Sequence, residues 1–231
     1  FRALGLAVLA MALSLPASAQ TTDYGAAIDA ERLSGADTEN ESWLSYGRTY
    51  DEQRYSPLDQ INRDTIDQLG LSWYADMTTS RGQEATPVVV DGALYISTAW
   101  SLVHAFDVRT GERLWTYDPQ VAREKGRDAC CDVVNRGVAA WGGRIFVGTI
   151  DGRLVALDSA SGEVDWEVMT VDESLPYTIT GAPRVVKGKV LIGNGGAEYG
   201  VRGYVTAYDT ESGEQAWRFY TVPGNPANGY E

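Results

Sequence analysis

Cys130 and Cys131 stand side by side in Asp128-Ala-Cys-Cys-Asp-Val-Val-Asn-Arg-Gly137, and they are the only cysteines in 231 residues. A trans peptide holds neighbouring Cα atoms about 3.8 Å apart, short of the roughly 4.4–6.8 Å that disulfides span, so a bond between them would be a strained ring. It would close almost no loop and add almost no chain-entropy stabilisation, so its use would be local. A rigid, polarisable sulfur surface suits stacking on a planar ligand, and strain persists where function requires it. The competing reading is a pair of free or metal-bound thiols.

Three further groups could act beside the sulfurs. The guanidinium of Arg136 can grip a carboxylate through two parallel bonds. Glu198, inside Asn194-Gly-Gly-Ala-Glu-Tyr-Gly-Val-Arg-Gly203, offers the oxygen ligation that calcium prefers, and the flanking glycines let backbone come close to a ligand. Thr180 adds a hydroxyl. Such a set suits an anionic planar ligand with a hard cation beside it, whereas any one member alone reads as a surface ion pair or a solvated carboxylate.

A repeat must position them. Ala-x-Asp-x-x-Thr/Ser-Gly-Glu-x-x-Trp begins at Ala105, Ala156 and Ala207, a constant spacing of 51 residues. A period near 50 built from short alternating strands with Asp-Gly and Thr-Gly turns predicts propeller blades of four antiparallel strands. Gly111, Gly162 and Gly213 are expected at positive φ in the last hairpin, and the repeated Trp is expected to dock one blade on the next. Upstream, a short helix is expected within residues 61–69 and a strand around 71–74. In such a blade the second-to-third strand turn and the loop to the next blade emerge at one end. The third blade carries 19 residues from Val190 to Asp209 where the others carry 14, so its connection is five longer and holds Glu198. The loops bearing Cys130, Cys131, Arg136 and Thr180 open at that same end.

These segments resemble the periplasmic quinoprotein alcohol dehydrogenases that use pyrroloquinoline quinone. The similarity runs from about Trp43 to Tyr220 and rests on the blade motif, on Cys-Cys-Asp-Val-Val-Asn-Arg-Gly, on Ile179-Thr-Gly-Ala-Pro183 and on Gly195-Gly-Ala-Glu-Tyr-Gly-Val-Arg-Gly203. The resemblance implies an all-β fold, an eight-bladed propeller of which about three complete blades and an N-terminal strand segment are present. It implies a Cys130–Cys131 disulfide stacked on the quinone, with Glu84 and Arg136 binding its polar groups. Thr180 would hydrogen-bond to it, Gly196 and Ala197 would line the pocket, and Glu198 would ligate calcium, with a lanthanide as the alternative ion. Small primary alcohols would be oxidised and electrons passed to a cytochrome c-type acceptor. The Asp base is expected downstream, so no catalytic residue is assigned here. No Cys-x-x-Cys-His motif occurs, yet the blades resemble those of the haem-bearing enzymes, in which a haem c domain follows.

Composition bounds the alternatives. A net charge of −13 argues against nucleic acid, which needs cations to neutralise phosphates. The sole histidine, His104, lies on a predicted strand, which leaves a zinc site or a Ser-His-Asp triad without support. A basic start, an apolar run from Ala3 to Leu15 and a small-x-small site ending at Ala19 predict a secretory signal over 1–19 and a periplasmic location. The apolar run is too short to span a membrane. Residues 20–231 read as one partial propeller domain, incomplete at its C-terminus and inactive alone. The alternative function is a non-enzymatic propeller scaffold of the outer-membrane assembly type. That scaffold would require a lipidated Cys at the cleavage site, where Ala19-Gln20 stands, and would have no use for tandem cysteines. A sugar dehydrogenase of similar fold lacks matching segments.

Overall fold

The computed structural model describes Tyr24, residues 28–225 and Ala227; the predicted signal and its cleavage site lie outside these residues. Three four-stranded antiparallel sheets follow one another in chain order. The first comprises β1 (Val88–Val90), β2 (Ala93–Ser97), β3 (Val103–Asp107) and β4 (Arg113–Tyr117). The second comprises β5 (Ala139–Trp141), β6 (Arg144–Gly148), β7 (Arg153–Asp158) and β8 (Val164–Met169). The third comprises β9 (Arg184–Val186), β10 (Lys189–Gly193), β11 (Tyr204–Asp209) and β12 (Gln215–Tyr220). Among the described residues no helix is long and apolar enough to cross a membrane.

The repeated motif makes the last hairpin of each blade. Asp107 Oδ1 accepts the backbone N–H groups of Arg109 and Thr110, each at 2.9 Å, and the Thr110 hydroxyl at 3.1 Å. Asp158 and Asp209 repeat the arrangement. Each glycine follows at φ +72°, +74° or +71° because the turn needs a left-handed residue. These carboxylates therefore belong to turns.

The tryptophans dock blades as the repeat predicts. Trp115 Nε1–H donates to Ser159 O of the second blade at 2.9 Å, and Trp166 donates to Thr210 O of the third at 3.2 Å. Each ring lies on the turn glycine of the blade it meets, Trp115 on Gly162 and Trp166 on Gly213. Burying an aromatic of this size, about 150–250 Å², stabilises by roughly 4–6 kcal/mol before ordering costs are deducted. Two apolar clusters fill the spaces between blades, one around Val90, Tyr95, Ile145 and Leu157, the other around Phe146, Leu154, Ile179 and Val190. His104 is packed, 1 % exposed, with Nδ1 against Thr116 Oγ1 at 3.0 Å, and burial lowers its pKa.

Three expectations are corrected. The helix within 61–69 is only a single 3-10 turn, Ile66–Gln68, flanked by Ile61 and Leu69 at 61 % and 58 % exposure, so no apolar face is buried to support it. Among the described residues, 71–74 pair with no strand, and Leu71 is 80 % exposed. Trp73 nonetheless donates to Val108 O at 2.8 Å and lies on Gly111, doing for the first blade what Trp115 and Trp166 do for the next two. Finally, Asp209 pairs with Lys189, not Val190, so the third connection exceeds the others by one residue more than expected. Between register-paired residues it runs over 194–204, against 98–102 and 149–153 in the first two blades.

Candidate functional site

The site collects at the end where these longer connections open. Backbone pairing brings the entries to the three first strands together. Thr86 N–H donates to Arg136 O at 3.2 Å, Arg136 N–H to Thr180 O at 2.9 Å, and Gly195 N–H to Thr178 O at 2.7 Å. The residues before β1, β5 and β9 and the long loop of the third blade thus form one continuous rim.

Arg136 is the centre of its charge. Its guanidinium pairs with Glu84 at 2.9 Å and donates to Thr180 Oγ1 at 2.6 Å. Both partners of the ion pair keep about two-fifths of their side chains in solvent, at 38 % and 42 %, so water weakens the pair and a ligand carboxylate can compete for the guanidinium. A cleft of about 480 Å³ opens beside it, lined by Arg136, Thr180, Arg184, Asn194 and the backbone of Gly181 and Gly195. Its apolar wall includes Leu191 and Val205.

Glu198 sits in a short 3-10 turn, Ala197–Tyr199, that begins at Gly196. Gly196 has φ +105°, and a Cβ there would meet Pro176 O at 2.5 Å, so only glycine lets the loop fold back at this point. Ala197 and Glu198 are exposed on the rim. Among the described residues no three Cys, His, Asp or Glu side chains gather as a metal cage.

Cys130 and Cys131 are both exposed, and their sulfurs are not bonded to each other. Hydrogen bonding with Cys131, and then with the Glu198 carboxylate, pushes the Cys130 thiol up to about 12. The same thiol, and after it the backbone N–H of Glu198 itself, hold the Glu198 carboxyl below the usual carboxylate range. Cys130 and the glycine-cradled acid, 68 residues apart in sequence, therefore lie close enough to perturb each other. Asp132 holds the turn after them at φ +69°, pairing with Arg81 and accepting Val133 N–H at 2.8 Å.

All eight residues expected at the site lie on this rim: Glu84, Cys130, Cys131, Arg136, Thr180, Gly196, Ala197 and Glu198. Sequence reasoning missed the strap beneath it. Trp43 exchanges two backbone hydrogen bonds with Val89 on β1, and Tyr50 donates to Val185 O on β9, so residues 43–50 cross the first strands of separate blades. Tyr46 lies between two guanidiniums, Arg54 at 4.4 Å and Arg184 at 4.3 Å, and hydrogen bonding from Arg54 lowers its pKa. An isolated Tyr in a polar segment carries no periodic signal that would have found it.

Residues 43–231 match the PQQ glucose/ethanol/alcohol dehydrogenase β-propeller domain, and the chain belongs to that family. Among its relatives is the quinohemoprotein alcohol dehydrogenase ADH IIB of Pseudomonas putida, 55 % identical over 226 residues that cover 98 % of this chain and 32 % of that one. The 1-butanol dehydrogenase (cytochrome c) of Thauera butanivorans is 57 % identical over 190 residues, covering 82 % and 27 %. The solved quinohemoprotein alcohol dehydrogenase ADHIIG of Pseudomonas putida HK5 superposes with a TM-score of 0.86 at 56 % identity, covering 88 % of this chain and 30 % of that one. The chain thus spans about a third of the length of these relatives.

Proposed function

We propose that the rim is part of the cofactor site of a periplasmic alcohol dehydrogenase that oxidises primary alcohols to aldehydes. Pyrroloquinoline quinone with calcium would be its cofactor, a lanthanide being the alternative ion, and a cytochrome c-type protein its electron acceptor. The observation that carries this reading is convergence: three successive blades deliver sulfur, guanidinium, hydroxyl and carboxylate to one rim. Kinship with a quinohemoprotein and with a cytochrome c-linked butanol dehydrogenase supports the substrate class and the acceptor. The kinship with quinohemoproteins also favours a haem c domain in the whole protein.

The donor set fits a flat polyanionic quinone. Arg136, partly solvated and only loosely held by Glu84, can turn its fork to a ligand carboxylate, with Thr180 donating beside it. Glu84 would remain to orient the guanidinium. Cys130 and Cys131 offer an exposed sulfur face, and in an oxidising compartment we expect them bonded to each other. Gly196 and Ala197 bring backbone against the ligand's edge. Glu198 would supply hard oxygens to the metal, and calcium takes about six to eight oxygen ligands, so other donors must complete its shell. When bound, the quinone would supply hydride-accepting chemistry and the metal Lewis acidity. Asp107, Asp158 and Asp209 are engaged by their own turns, so none is proposed as the base.

In the full-length protein, replacing both Cys130 and Cys131 by Ser should lower dye-linked alcohol oxidation by about two- to tenfold, the value of one lost stacking contact. Unchanged turnover would remove the sulfurs from the site.

A further inference from the structure

We infer that Asn135 is the positioning residue that sets Arg136 at the angle needed to meet an anionic ligand. This rests on the cofactor-site reading above and adds to it a residue that touches neither Glu84 nor Thr180. Asn135 is 2 % exposed, and both ends of its amide are used. Its Oδ1 accepts the Ser97 hydroxyl at 2.7 Å and Gly137 N–H at 3.1 Å, and its Nδ2 donates to Gly148 O at 2.8 Å.

Each partner belongs to a different part of the frame. Ser97, fully buried, ends β2 of the first blade; Gly148 ends β6 of the second. Gly137 follows Arg136 and pairs with Thr86 at the entry to β1. One side chain therefore ties two blades to the peptide on either side of Arg136, since Asn135 precedes it and Gly137 follows it. The neighbouring Val133 and Val134 are buried at 2 % each, and Val133 O accepts Trp100 N–H at 2.8 Å, so the stretch up to Asn135 is already fixed. The N–H and C=O of Arg136 are themselves held by Thr180 O and Thr86 N–H, and the Asn135 bond to Gly137 N–H closes the turn around them, which fixes the direction in which the Arg136 side chain leaves the backbone.

A buried amide with three satisfied partners cannot be removed without leaving polar groups unpaired, so stability alone would not separate positioning from packing. The test compares quinone affinity in the full-length protein, read by quenching of tryptophan fluorescence on titration with pyrroloquinoline quinone, for Asn135→Ala, Ser97→Ala, Arg136→Ala and Tyr95→Phe. Tyr95 donates its buried hydroxyl to Ser159 O at 3.1 Å between the same two blades, away from the rim. Asn135→Ala should weaken quinone binding about tenfold, and Ser97→Ala, which removes one bond of the three, about threefold. Tyr95→Phe should lower the melting temperature and leave affinity unchanged. If Asn135→Ala fails to fold, Ser97→Ala carries the test. The inference is overturned if Ser97→Ala and Asn135→Ala bind quinone as the wild type does, or if Tyr95→Phe weakens binding as much as they do. Failure of the wild type to bind, or indifference to Arg136→Ala, would instead overturn the cofactor-site reading and this inference with it.

Discussion

Gly162→Ala tests how the blades are held. Gly162 sits at φ +74°, and a Cβ built there would lie 2.6 Å from Cδ2 and Cε3 of Trp115. Two costs arise. A left-handed conformation at a residue with a Cβ costs about 1–2 kcal/mol. Forcing the indole away costs about 1–3 kcal/mol more, because the ring is packed and its Nε1–H is tied to Ser159 O. Gly143 separates the two. It lies in the first hairpin of the same blade at φ +77°, with no atom within 4 Å of the position a Cβ would take. Gly143→Ala should therefore show the backbone cost alone. In urea unfolding of the full-length protein, Gly162→Ala should be destabilised by about 2–5 kcal/mol and Gly143→Ala by about 1–2 kcal/mol. Adding Trp115→Ala to each variant should shrink the difference, since the clash partner is gone. Equal losses for the two glycine variants, or a difference that survives removal of the indole, would refute the docking role of the ring.

Two further outcomes follow from single side chains. Glu198→Gln removes the negative charge that a hard cation seeks and should lower calcium retained after dialysis by about tenfold or more, read by metal analysis; full retention would take Glu198 out of the metal site. Asp209 is held down to about 2, first by the Ser212 backbone N–H and next by Lys189 at 3.0 Å. A carboxyl depressed in the folded state stabilises above its unfolded value of about 3.9, and that contribution is lost as pH falls through about 2. Lys189→Met should raise the Asp209 titration only part of the way towards the ordinary value, because the backbone donors remain. Carbon-13 NMR titration of the carboxyl reads this directly, and an ordinary midpoint in the wild type would contradict it.

The blades were legible because their information is periodic. Asp107, Gly111 and Trp115 recur together, and a turn acceptor, a left-handed residue and a docking ring in fixed register admit few other arrangements. The common rim was legible too, since strand order alone sends the Cys130, Thr180 and Glu198 loops to one end. Residues 61–74 were not. A short apolar run without a turn signal does not reveal which segment pairs with it, and among the described residues Leu71 is left exposed. Trp73 performs the same docking without a preceding Asp-x-x-Thr/Ser-Gly-Glu, so the repeat carries no sign of it. The third loop is one residue longer than the spacing from Val190 implies because hydrogen-bond register pairs Lys189 with Asp209, and register is not written in the residue types. Asn135 and Tyr46 act through contacts with distant segments, and a lone polar residue in a loop carries no trace of its partners.

Trp73, Trp115 and Trp166 make the same two contacts, a hydrogen bond to a turn carbonyl and an indole laid on a glycine. A joint repeated in this way fixes the angular step from each sheet to its successor, and identical steps sum to a circle only for one whole number of sheets. A smaller ring at a single joint would therefore do more than loosen a local contact: its error in pitch would be inherited by every later sheet, and the seam where the circle closes would have to absorb the total.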